Sequence, residues 1–111
     1  MNNLLLTITL LSIYSFAIAD KGNSPMIIDV RTPAEWSTGH LNNAKHIEWQ
    51  DIGDQISALT TDKDETIYVY CHTGNRSGKA KSILDQLGYS NVINAGGMDD
   101  AQAAINTHEG L

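Results

Sequence analysis

Apolar positions along this chain fall into short runs divided by amphipathic stretches. Met26-Ile27-Ile28-Asp29-Val30 follows Ser24-Pro25 and reads as a buried strand. Thr66-Ile67-Tyr68-Val69-Tyr70 is β-branched and aromatic and predicts a second strand, and Asn91-Val92-Ile93-Asn94 a third. Thr32 followed by Pro33 predicts an N-cap and first helical position, opening a short helix through Glu35 and Trp36 that Gly39 stops. Trp49, Ile52, Ile56 and Leu59 share one face at helical spacing and predict a helix from Glu48 to Leu59. The polar turn Thr61-Asp62-Lys63-Asp64 follows it. From Ser77 to Leu87 the apolar stripe is Ala80, Ile83, Leu84 and Leu87, closed by Gly88. A last helix is expected through Ala101 to Ile105, after Gly96-Gly97.

Strands that alternate with helices predict an α/β fold with a mainly parallel sheet flanked by helices. In such folds ligands sit beyond the carboxyl ends of the strands. That places the search after Val30, after Tyr70 and after Asn94.

Leu4 to Ala19 breaks the pattern. It is uncharged and mostly apolar, and every Asp, Glu, Lys and Arg lies from Asp20 onward. As a helix it would reach about 24 Å, short of a hydrocarbon core of about 30 Å. It ends in Ala17-Ile18-Ala19, an A-x-A pattern. Residues 1–19 therefore read as a cleaved secretory signal, and residues 20–111 as one domain without a stable membrane span. Met1-Asn2-Asn3 contains no Lys or Arg, so a retained anchor is the competing reading.

Charge and cysteine content narrow the functions. Seven Lys and Arg against 13 Asp and Glu give a net charge of −6. Phosphate binding needs clustered cations, so a nucleic-acid partner is not expected. One Cys excludes an internal disulfide framework. Four scattered His with one Cys do not make metal-ligand spacing.

That one Cys sits where chemistry is expected. The strand ending at Tyr70 runs into Cys71-His72-Thr73-Gly74-Asn75-Arg76 and then a helix. A strand end holds the Cys backbone, and Gly74 lets a short loop curl with its N–H groups inward. The helix directs its positive end at the same point. A thiolate or persulfide anion there would be stabilised, and Arg76 adds a cation. A buried structural Cys is the plain alternative, but polar, glycine-containing and cationic neighbours disfavour it.

Four stretches resemble the rhodanese family. Asp29-Val30-Arg31-Thr32-Pro33-Ala34-Glu35-Trp36 is similar to its D-V-R-x-x-x-E-[FYW] segment, and Gly39-His40-Leu41-Asn42-Asn43-Ala44 to G-H-I-x-G-A. Cys71 to Ser77 resembles the C-x-x-G-x-R-S loop, and Asn94-Ala95-Gly96-Gly97-Met98 the N-x-x-G-G-[WLM] stretch. They occur in family order, and with the short length and leader the chain resembles the periplasmic single-domain members. Asn43 stands where the family usually has Gly, and Lys45 where an apolar residue is common.

The resemblance implies a single rhodanese-like domain and a sulfurtransferase. Cys71 would take sulfane sulfur from a donor such as thiosulfate and pass it to cyanide or a thiol, with no metal or organic cofactor. His72, Thr73, Gly74, Asn75 and Arg76 would form the substrate-binding loop. Thr73, Gly74 and Asn75 would act through backbone N–H groups, and Arg76 through its guanidinium on the donor's sulfonate. Asp29 and Ser77 would support the loop. Arg31 and Glu35 are placed for an ion pair, and His40 reads as structural.

Two other functions fit parts of the pattern. A Cys-based phosphatase also uses a strand, Cys loop, Arg and helix, but needs C-x5-R; here Arg76 gives C-x4-R. A persulfide carrier or partner-binding module would keep the loop without turnover.

Overall fold

The computed structural model describes residues 24–109. The leader expected at residues 1–19 lies outside them. Strands β1 (Met26–Asp29), β2 (Lys45–His46), β3 (Ile67–Tyr70) and β4 (Val92–Asn94) alternate with helices α1 (Pro33–Ser37), α2 (Ile52–Leu59), α3 (Asn75–Gln86) and α4 (Met98–His108). The four strands form one parallel sheet in the order β2-β1-β3-β4. The α/β architecture with flanking helices is the one expected.

Residues alternate between the two faces of the sheet, and both faces are covered. Ile28, Val30, Ile67, Val69 and Cys71 share a cluster with Ile52 and Ile56 of α2 and Ala80 and Leu84 of α3. Ile27, Tyr68 and Tyr70 meet Ala101 and Ile105 of α4. The two central strands are therefore apolar on both sides. Among the described residues no helix is long and apolar enough to cross a membrane.

The element boundaries differ from expectation for identifiable reasons. Thr32 and Pro33 act as predicted, and Thr32 and Glu35 close a capping box. The helix expected from Glu48 begins at Ile52. The Ile47 and Trp49 N–H groups instead donate to the Asp29 and Val30 carbonyls, extending the sheet pairing. Trp49 still packs against the core. The last helix gains a turn at each end, with Asp99 and Asp100 near its positive N-terminus. The two-residue strand β2 carries no run long enough to be seen in the sequence.

Both departures from the family pattern fit the backbone. Asn43 has φ of +66°, a left-handed conformation that Gly adopts freely and Asn tolerates. Lys45 is exposed on edge strand β2, where a charge discourages pairing with another sheet edge.

Candidate active site

Cys71 lies immediately past β3 and is 1% exposed. Its N–H donates to the Gly96 carbonyl at 2.9 Å, and the Ala95 N–H donates to Val69 at 2.8 Å. These bonds tie the end of β3 to the segment leaving β4. Gly97 must lie close to the loop: a Cβ there would come within 2.7 Å of the His72 carbonyl oxygen.

The loop is tighter than the sequence suggests. Helix α3 begins at Asn75, not Ser77, so only residues 72–74 separate Cys71 from it. Gly74 is the N-cap with φ of +97°, a conformation other residues rarely adopt. This turn directs the Gly74 N–H at Cys71 Sγ, at 3.0 Å. Ser77 is fully buried one turn into α3, with Oγ 3.3 Å from the sulfur.

Burial pushes the Cys71 thiol up. Hydrogen bonding with the Ser77 side chain and with the Ser77, Gly74 and Thr73 N–H groups outweighs it, leaving the thiol below its ordinary value. The result is the environment of an activated sulfur nucleophile.

The other expected residues divide. Thr73, Gly74 and Ser77 surround the sulfur. The side chains of His72, Thr73 and Asn75 are exposed. The Arg76 guanidinium is not a free cation. Its Nη1 and Nη2 donate to Glu35 Oε1 and Oε2 at 2.6 and 2.9 Å. Arg76 holds the Glu35 carboxyl well down, to about 2.

Asp29 does not brace the Cys loop. Its buried carboxylate accepts from the Arg31 N–H at 2.9 Å and from Arg31 Nε and Nη2, the last at 2.7 Å. Arg31 Nη2 also donates to the Gly39 carbonyl. The expected Arg31–Glu35 pair is therefore replaced by two others, Arg31 with Asp29 and Arg76 with Glu35. A fully buried carboxylate two residues away outcompetes a partly exposed one, because leaving it unpaired in the core would be costly. His40 stacks on Trp36 and donates from Nδ1 to the Leu41 carbonyl. His46 stacks nearby and donates from Nε2 to the Arg31 carbonyl.

Asn94 is the residue that sequence reasoning missed. Its Oδ1 accepts from the Ser77 hydroxyl at 2.6 Å and the Gly96 N–H at 3.1 Å, and its Nδ2 donates to the Gly74 carbonyl at 3.0 Å. Its place at the end of the third strand was the available signal.

The family model for the rhodanese-like domain matches residues 17–104. The chain belongs to the rhodanese family. It is 41% identical to the thiosulfate sulfurtransferase PspE of Escherichia coli over 66% of this chain and 70% of that protein. With the thiosulfate sulfurtransferase GlpE of Pseudomonas aeruginosa it shares 32% over 68% of this chain and 66% of that one. A solved structure described as a rhodanese with anions from E. coli superposes with a TM-score of 0.67 and 39% identity, covering 69% of this chain and 91% of that one. This rhodanese is a sulfurtransferase with a single parallel-sheet domain.

Proposed function

We propose that this rhodanese takes sulfane sulfur from thiosulfate, holds it on Cys71 as a persulfide, and passes it to a thiol or to cyanide. The observation that carries the reading is the sulfur cradle. The Gly74 N–H lies 3.0 Å from Sγ, Ser77 stands beside it, and the α3 N-terminus is three residues away. The first-turn N–H groups of a helix have no partner within it, and they favour an anion.

In the first half-reaction the Cys71 thiolate attacks the outer sulfur of thiosulfate. The S–S bond breaks, and sulfite leaves with its electron pair. In the second, the acceptor attacks the outer sulfur of the persulfide. Cyanide becomes thiocyanate, or a thiolate becomes a persulfide, and the Cys71 thiolate returns. No electrons are exchanged with an outside redox partner. The N–H cradle offsets the negative charge on sulfur in both halves. Arg76 reaches the donor's sulfonate by exchanging Glu35 for it, since guanidinium matches both oxyanions. Thr73 and Gly74 contribute backbone donors, while His72 and Asn75 line the entrance with exposed side chains.

Intact mass after thiosulfate treatment tests the reading. Wild type is expected to gain one sulfur atom, and Cys71→Ser none. Wild type without the gain would sink the proposal. Loss of the added sulfur on exposure to cyanide, with thiocyanate released, checks the second half.

We also propose export to the periplasm with residues 1–19 removed. The uncharged stretch Leu4–Ala19 and its Ala17-Ile18-Ala19 ending support this. The mass of protein recovered from a periplasmic fraction is expected to start near Asp20; a full-length cytoplasmic product would reject export.

A further inference from the structure

The amide of Asn94 has only one orientation that satisfies its neighbours. The Gly74 carbonyl can only accept, so it faces Nδ2; the Gly96 N–H can only donate, so it faces Oδ1. Oδ1 is therefore the atom presented to Ser77, and the Ser77 hydroxyl must donate to it, at 2.6 Å. A hydroxyl has a single proton. While Ser77 donates to Asn94, it offers Cys71 only a lone pair at 3.3 Å. That suits a thiol, whose S–H donates to Ser77 Oγ. It does not suit a thiolate or persulfide anion, which needs a donor.

We infer that Asn94 is a positioning residue that withholds the Ser77 proton from Cys71 in the thiol form and yields it when the sulfur becomes anionic. On ionisation the hydroxyl turns by rotation about its C–O bond, and the Ser77 proton passes from facing Asn94 Oδ1 to facing Sγ. Asn94 keeps its bonds to Gly96 and Gly74, so the loop holds its shape as the charge changes. The inference builds on the sulfur-transfer reading and concerns the same sulfur, but its readout is the ionisation of Cys71 and needs no turnover.

Other charged groups also surround this sulfur. Arg76 of α3 is paired with Glu35 of α1, and Asp29 of β1 with Arg31. Asp100 of α4 lies beside Gly96, and His72 follows Cys71 directly. A double-mutant cycle between Asn94 and Ser77 leaves all of them in place.

Thiolate absorbance in the ultraviolet reports Cys71 alone, because it is the single cysteine. Cys71→Ser supplies the background. Midpoints are measured for wild type, Asn94→Ala, Ser77→Ala and the double variant. Asn94→Ala frees the hydroxyl proton for the sulfur. Its effect on the midpoint is expected to be lower by about 0.7 pH unit with Ser77 present than in the Ser77→Ala background, a roughly fivefold change in thiolate equilibrium. Asn94→Asp keeps the size and strengthens the acceptor. It is expected to give a coupling of opposite sign, and it carries the test if the alanine variant does not fold. Equal effects of each Asn94 replacement with Ser77 present and with Ser77 removed overturn the inference. A measured coupling in a protein that gains no sulfur from thiosulfate would uphold the Asn94 role while rejecting the sulfur-transfer reading.

Discussion

Glu35 and Arg76, 41 residues apart in the chain, meet as a two-pronged ion pair, with Nη1 to Oε1 at 2.6 Å and Nη2 to Oε2 at 2.9 Å. The same Glu35 Oε1 accepts from the Thr32 N–H and hydroxyl. One carboxylate thus caps α1 and anchors Arg76, in the first turn of α3, beside the sulfur. Family resemblance put both residues in view, but only the packing of α1 against the loop joined them.

The pair sets an expectation for donor binding. Arg76→Ala should raise KM for thiosulfate about tenfold, the worth of one charge-assisted hydrogen bond of roughly 1.5 kcal/mol. Glu35→Gln keeps an acceptor for Thr32 but removes the competing charge, and should lower KM. Steady-state thiosulfate:cyanide kinetics check both. An unchanged KM in Arg76→Ala would reject contact between Arg76 and the donor.

Acid stability should carry the signature of Glu35. Arg76 lowers its carboxyl from 4.5 to about 2 in the folded protein. A depressed carboxyl stabilises the fold above its unfolded value, and that contribution is lost as pH falls through the folded one. The loss should therefore run from about pH 4.5 down to about 2. Both side chains are about one-third exposed, so solvent screening keeps the contribution to about 0–1 kcal/mol. Urea unfolding across this range should show a smaller pH slope for Glu35→Gln than for wild type.

Tyr70 should leave its mark at the alkaline end. It is fully buried, and its hydroxyl accepts from the Leu41 N–H at 3.0 Å. Burial pushes the phenol from 10.0 up to about 12. A phenol that ionises more readily when unfolded makes stability fall as pH rises from about 10 to 12. Tyr70→Phe should lose that dependence and be destabilised at neutral pH by about 1–3 kcal/mol, because the Leu41 N–H loses its acceptor. Chemical unfolding at pH 7 and at alkaline pH separates the two effects.

Two glycines should respond differently to alanine. At Gly97 the new Cβ would press within 2.7 Å of the His72 carbonyl, so Gly97→Ala should shift the Cys loop and lose activity along with about 1–3 kcal/mol of stability. At Gly88 nothing lies within 4 Å, and only the φ of +96° opposes a side chain. Gly88→Ala should cost about 1–2 kcal/mol and leave sulfur transfer intact. Unfolding curves and turnover measured together give the comparison.

Much of the architecture was readable along the chain, because buried parallel strands announce themselves as short apolar runs and Thr32-Pro33 is a strong local helix start. The errors cluster where distant backbone took over. The N–H groups of Ile47 and Trp49 were claimed by β1, which delayed α2 despite the helical spacing of Trp49 with Ile52 and Ile56. Asn43 occupies a family glycine position and still adopts φ of +66°, a substitution the backbone explains once seen.

Order along the chain was enough to place the candidate site: a lone Cys at a strand end, followed by Gly74 and a helix, in family order with three other segments. Those features are local, and local order along the chain survives into the fold. Which side chains serve the sulfur was decided only in three dimensions. Asp29 went to Arg31, Arg76 to Glu35, and Ser77 to Asn94, each choice made by burial and by which hydrogen-bond partners the parallel sheet brings within reach. Pairings of that kind depend on distances between segments that are remote in sequence, and no spacing along the chain encodes them.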